Sequence, residues 1–200
     1  AVIDGTIAPG THIRLQDLAD DLGTSMQPVR EALRQLAAVG IVDIEPHRGA
    51  RVPELSDADF EDTYRTRLAV EGFLVARAAS LFTESDAAAA RAAIDRHRAA
   101  LAVGDRVAAR TAHQDFHFSV YAAARSPWLL RSALPTWHNA ERYRLRSTVS
   151  TAGAVGRHRE HLELLAACEA HDAEAARAAL LRHLLATVRE RSPGLAALLA

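Results

Sequence analysis

Four histidines stand where their imidazoles could hold a metal ion. His113 and His117 lie four residues apart, hence on one face of a helix, and His161 and His183 fall on two further helical stretches. Each sits on an apolar stripe: His117 with Val120 and Ala124, His161 with Leu162 and Leu165, His183 with Ala176, Leu180 and Leu184. A single histidine so placed is ordinarily a packed core residue with satisfied nitrogens. Four converging from three helices favour a divalent ion, because imidazole suits borderline metals and an i, i+4 pair offers two donors at once. Zinc (Zn2+) is the first expectation, with nickel (Ni2+) or manganese (Mn2+) as alternatives, and His158 is a rival ligand. Asp115 is two residues from His117 and points elsewhere on the helix, so no carboxylate is expected beside the ligands. An all-imidazole site has no ligand charge to offset a cation, which favours a bound carboxylate or hydroxide.

A second chemistry is anion recognition. Arg30 and Arg34 share a helix face with Met26 and Gln27, behind the N-cap residue Ser25. Like charges four apart on a helix repel mildly in water, so both arginines make more sense beside phosphate or a guanine edge. Residues 1–52 nevertheless carry five arginines against seven acids, a net charge of −2, so the reading depends on where the arginines point. A third cluster, Arg142, Tyr143, Arg144 and Arg146, could clamp an effector carboxylate through Arg142 or Arg146 with the Tyr143 hydroxyl beside it. Such a charge run is equally read as a solvated face. His12, His47, His97, His138 and His171 are read as loop, surface or packing residues, and Trp128 and Trp137 as packing the bundle or a dimer contact.

The elements that must position these groups divide near Pro53. Residues 15–22 form a short helix with Leu15, Leu18, Ala19 and Leu22 on one face, closed by Gly23. A second helix follows Ser25, with Val29, Ala32, Leu33 and Leu36 as its apolar stripe. Residues 41–45, 46–49 and 50–52 then read as strand, turn, strand, with Arg48 and Gly49 in the turn. Beyond Pro53, helical periodicity predicts six helices near 57–82, 84–102, 105–124, 127–147, 154–170 and 172–190. Ser56, Thr83 with Asp86, Asp105, Ser126 and Asp172 mark their starts, and Pro135 should kink the fourth. No apolar run approaches the roughly 18 residues that span a bilayer, and no secretion signal opens the sequence, so a cytoplasmic address with no membrane partner is expected. The single cysteine, Cys168, leaves no internal disulfide and reads as a small buried apolar residue.

The string Pro9-Gly10, Leu18-Ala19, Leu22-Gly23-Thr24-Ser25, Pro28-Val29-Arg30-Glu31-Ala32-Leu33, Gly40 and Arg48-Gly49-Ala50 closely resembles the GntR family of winged helix-turn-helix transcription regulators. The six-helix remainder, with Arg67 through Glu71 early in its first helix, resembles the ligand-binding (FCD-type) domain of the FadR-like branch. The resemblance implies a mainly α protein: a winged helix-turn-helix with a small β-hairpin wing over 1–52, its first helix truncated, and an antiparallel six-helix effector- and metal-binding bundle over 53–200. It also implies a metal set of Asp-x-x-x-His followed by two later histidines, spaced as His161 and His183 are; His113 stands where the Asp would be. Family members often carry basic residues where Met26 and Gln16 stand here, which leaves Ser25, Gln27, Arg30, Arg34, Arg48 and Gly49 as the expected DNA contacts. Methionine cannot make the bidentate guanine contact of arginine, though it can pack against a thymine methyl.

The expected function is that of a homodimeric, cytoplasmic regulator of transcription, not an enzyme. It binds double-stranded operator DNA and acts as a repressor released by a small carboxylate-type effector bound at the metal. The alternative is a metal-dependent hydrolase or lyase built on the histidine site, since an open metal position can activate water.

Overall fold

The computed structural model describes residues 2, 5–46, 48–144 and 151–199, the side chains of 151–155 and 198–199 excepted. They fall into two compact units, one of residues 1–63 with 134–148 and the other of 64–133 with 149–200.

In the first unit β1 (His12–Ile13) leads into α1 (Leu15–Asp21), α2 (Met26–Ala38), β2 (Asp43–Glu45) and β3 (Gly49–Arg51). The three strands form one antiparallel sheet in the order β1-β3-β2, pairing Ile13 with Ala50 and Ile44 with Ala50 from its two sides. The expected hairpin thus gains a third strand from His12–Ile13, too short for any period-2 pattern to show. Ala19, Val29 and Leu33 from the two helices meet Ile13, Ile41, Val42, Ala50 and Val52 in a single core, with Leu15, Leu18 and Leu36 packed at its edge. Ile41 and Val42 fill this core ahead of β2, and Ala32 is exposed, so α2 buries a narrower stripe than its sequence suggests.

The same unit takes the start of α3 (Asp57–Ser80) and the end of α6 (Pro127–Arg144). Asn139 donates to Asp59 and Thr63, Tyr143 donates to Asp59, and Arg142 donates to the Pro53 carbonyl. These bonds hold the segment after the wing against α6. Burial and the Asp59 carboxylate push the Tyr143 phenol well above its ordinary range, so it remains a donor.

The second unit contains the rest of α3 and of α6 with α4 (Glu84–Ala102), α5 (Arg106–Ala122), α7 (Thr151–Glu169), α8 (Ala173–Arg191) and a short α9 (Pro193–Leu199) beyond the six expected helices. Helix starts follow the expected chemistry. Thr83 and Asp86 form a reciprocal capping box, Asp105 and Asp172 accept from the third backbone N–H of α5 and α8, and Ser56 accepts from Asp59. Connections of a few residues oblige α4 and α5, and α7 and α8, to run antiparallel. Ala87, Ala90 and Ala93 on α4 face an interior shared with Ala109 and Ala112 on α5; such small side chains let backbones approach closely. Pro135 lies inside α6. Trp137 is fully buried, whereas Trp128 is exposed and stacks its ring with Arg131. Among the described residues no helix is long and apolar enough to cross a membrane.

Two consequences are measurable. Gly49 opens β3 at φ +97°, and a Cβ there would stand 2.2 Å from the Ile13 carbonyl oxygen, a clash with backbone that cannot swing aside. Gly49→Val is expected to separate β1 from β3 and raise hydrogen exchange at the Ile13 and Ala50 amides, with exchange in α4, α5 and α8 unchanged. Burial pushes the Cys168 thiol up to about 12, with Glu169 adding to the shift, so the native chain should resist thiol alkylation and react only once unfolded.

Candidate metal centre and nucleic-acid interface

Helix α5 buries Ala109, Ala112, His113, Phe116, His117, Val120 and Tyr121 along one face, which carries both of its histidines inward. His161 comes from α7, whose buried side also carries Leu164 and Leu165, while Leu162 is exposed and not part of that stripe. His183 comes from α8 beside Ala179, Leu180 and Leu184. All four imidazoles are buried, and one ligand atom from each lies within 4.8 Å of all the others. The Nε2 atoms of His117 and His161 are 3.3 Å apart. Two nitrogens bound tetrahedrally to zinc at 2.0–2.1 Å would be about 3.3 Å apart, so this pair already has the required spacing. Without an ion, one of these two rings must hold its proton on Nε2 and donate to the other. The donor set therefore fits a borderline divalent cation, and the sequence-expected ligands are brought together. His158 is half-buried and outside this group, and Asp115 is exposed and paired with Arg96.

Around these rings lies a polar shell that sequence reasoning missed. Glu160 Oε2 is 2.9 Å from His183 Nδ1, which corrects the expectation that no carboxylate stands near the ligands. Tyr121 donates to Glu71 at 2.6 Å, and its hydroxyl is 3.4 Å from His117 Nδ1. Glu71 in turn accepts a two-pronged bond from Arg67, at 2.6 and 3.1 Å. Burial alone would lower the Arg67 pKa, but the Glu71 carboxylate outweighs it and keeps the guanidinium charged. His97 from α4 places its ring 5.6 Å from His113 and 5.9 Å from His161, not on a remote surface. Tyr121 was open to discovery from its i+4 spacing to His117, and Arg67 with Glu71 from a charged pair on an apolar stripe. Glu160 gives no such signal, because its partner lies on another helix.

In the first unit, Ser25 occupies the N-cap of α2, although its side chain makes no capping bond. Gln27, Arg30 and Arg34 are exposed on α2, with Arg30 donating weakly to Gln27 at 3.4 Å. Arg34 lies 3.9 Å from Glu31, so the i, i+4 repulsion with Arg30 is partly offset within the helix, contrary to the sequence argument. Between α2 and the wing runs a groove of about 800 Å³ that Arg14, Arg30, Arg34, Arg48 and Gly49 help to line. Glu45 is the acid in that lining, and its carboxylate sits 3.2 Å from His12. A segment of net charge −2 thus presents four arginines on one concave face, with Arg14 as the member unseen in the sequence. Arg142 and Tyr143 belong to this unit, where their polar atoms bond Pro53, Ser56 and Asp59. Arg146 and His47 lie outside the described residues.

Residues 1–52 match the model of the bacterial regulatory proteins of the gntR family, and residues 62–186 match that of the FCD domain. The chain belongs to the GntR family. Its FCD domain places it in the FadR-like subfamily. It is 32% identical to the probable D-xylose utilization operon transcriptional repressor of Paenarthrobacter nicotinovorans, over 92% of this chain and 81% of the relative. To the transcriptional regulator McbR of Escherichia coli K12 it is 28% identical over 94% of this chain and 84% of that one. The solved structure of E. coli McbR/YncC superposes with a TM-score of 0.84 at 25% identity, covering 94% of this chain and 90% of the other. These relatives are transcription regulators rather than enzymes, and the GntR match makes the first unit's helix-turn-helix a DNA-binding element.

The buried pair beside the histidines yields a stability test. Glu71→Ala leaves the Arg67 charge buried without its partner, a loss of about 3–5 kcal/mol by analogy with other broken buried pairs. Denaturant titration should register it as a lower midpoint, whereas removing the exposed Arg98–Asp95 pair should change stability by less than about 1 kcal/mol.

Proposed function

We propose that this GntR regulator is a homodimeric repressor of the cytoplasm, released from its operator when a small carboxylate docks at a divalent metal held by His113, His117, His161 and His183. The observation that carries this reading is the convergence of four buried imidazoles, from three helices, to within 4.8 Å of one another. Zinc is the favoured ion, ahead of nickel and manganese. A cation there supplies a Lewis-acidic point of attraction for an anionic effector. The imidazoles orient that point, and the apolar walls of α5, α7 and α8 exclude competing water. Preference of the effector for the DNA-free form lowers operator affinity by linkage.

On the DNA side, Ser25, Gln27, Arg30, Arg34, Arg48 and Gly49 are assigned to a near-palindromic double-stranded operator, one α2 helix per half-site. Arginines on an exposed groove suit phosphate and guanine, and the wing presents Arg48 to the same ligand.

Purified full-length chain should contain close to one metal per protomer by elemental analysis, and His161→Ala or His183→Ala should remove most of it. His113→Asp, a charged oxygen ligand in place of an imidazole, should retain metal. A small carboxylate such as citrate should raise Tm only in the metal-loaded protein. An equal rise in the metal-free protein places effector binding away from the histidines. Arg30→Ala should weaken operator binding by about 1–3 kcal/mol if Arg30 reads a base, or reduce the salt slope evenly across sequences if it holds phosphate. Unchanged affinity removes α2 from the DNA interface.

A further inference from the structure

We propose that Glu160 is a positioning residue for the metal site: it holds His183 with Nε2 turned to the cluster and supplies, one ring away, the negative charge that four neutral imidazoles lack. This rests on the metal reading above. An imidazole can ligate through one nitrogen only if the proton sits on the other, and that proton needs an acceptor. A carboxylate is acceptor-only, so the 2.9 Å contact between His183 Nδ1 and Glu160 Oε2 requires the proton on Nδ1 and leaves Nε2 as the ligating nitrogen. Glu160 and His161 are consecutive on α7, so one helix delivers both a ligand ring and the carboxylate that orients a ring of α8. His183 is buried and Glu160 only partly so, at 7% and 26% side-chain exposure, which keeps the contact shielded from water.

Two neighbouring contacts sharpen the assignment. Glu163, a turn further along α7, lies 3.6 Å from Arg159 and 3.5 Å from Arg182, so its charge faces arginines. On the other side of the cluster the Tyr121 hydroxyl, committed as a donor to Glu71, turns its lone pairs to His117 Nδ1 at 3.4 Å. That contact is longer than an ordinary hydrogen bond, which leaves Glu160 as the stronger orienting group.

The test is a zinc titration of the full chain against a chromophoric chelator, paired with 15N NMR of histidine-labelled, metal-free protein. Glu160→Ala should weaken zinc about 10–100-fold, and Glu160→Gln by less, since the amide oxygen can still accept from Nδ1–H but carries no charge. Glu163→Gln should bind like wild type. Neutral His183 should appear as the Nδ1–H tautomer in wild type and as a tautomer mixture in Glu160→Ala, a change that loss of a merely structural contact would not impose. Should Glu160→Ala unfold, the near-isosteric Glu160→Gln and the wild-type tautomer still decide. Wild-type zinc affinity in both Glu160 variants, or an Nε2–H tautomer in wild type, overturns the role while leaving the metal site intact. A wild-type chain that binds no zinc removes the metal reading and this role together.

Discussion

The second unit depends on one constraint: four imidazoles are buried in the interior of a helical bundle. A polar ring transferred out of water without a partner costs several kcal/mol in apolar surroundings, and four such rings together would offset much of a domain's stability. The fold meets the constraint by pointing the rings at each other and by placing polar groups behind His183 and His117. Glu160 takes His183 from one side; Tyr121, Glu71 and Arg67 stand behind His117 on the other. The apolar walls, the alanine-lined approach of α4 and α5 and the buried ion pair on α3 are arranged around this polar centre. An ion among the rings would draw on a lone pair from each of the four in one step.

The first unit solves a different electrostatic problem. The net charge of residues 1–52 is wrong for nucleic acid, yet four of their five arginines line the groove between α2 and the wing. The sheet makes this possible: Gly49 at positive φ lets β3 pass against Ile13, and β3 carries the wing turn with Arg48 to the groove. Arg142, Tyr143 and Asn139 then fix the segment that follows the wing. Arg142 and Tyr143, read in the sequence as candidates for an effector clamp, thus also bond the backbone and side chains that follow the wing.

Much of this was legible beforehand, for identifiable reasons. Helix starts were, because Thr83, Asp105 and Asp172 act on backbone N–H groups only a few residues away. The four histidines were, because helical periodicity puts each on a buried stripe, although Leu162 beside His161 is exposed. What stayed hidden involves partners distant in sequence. Glu160 meets His183 across two helices, His97 reaches the cluster from α4, Arg14 joins the groove from a loop, and His12–Ile13 becomes a strand only because β3 lies beside it. The closing helix α9 and the exposure of Trp128 likewise depend on tertiary packing that no local period encodes.

The central claim, that these imidazoles hold an ion, is tested most directly by X-ray absorption spectroscopy at the metal edge of the purified full-length chain. The account predicts a single divalent metal with first-shell nitrogens at about 2.0–2.1 Å and the outer-shell scattering of several imidazole rings, both lost in His161→Ala. Metal bound without imidazole scattering, or retained unchanged in that variant, would contradict it.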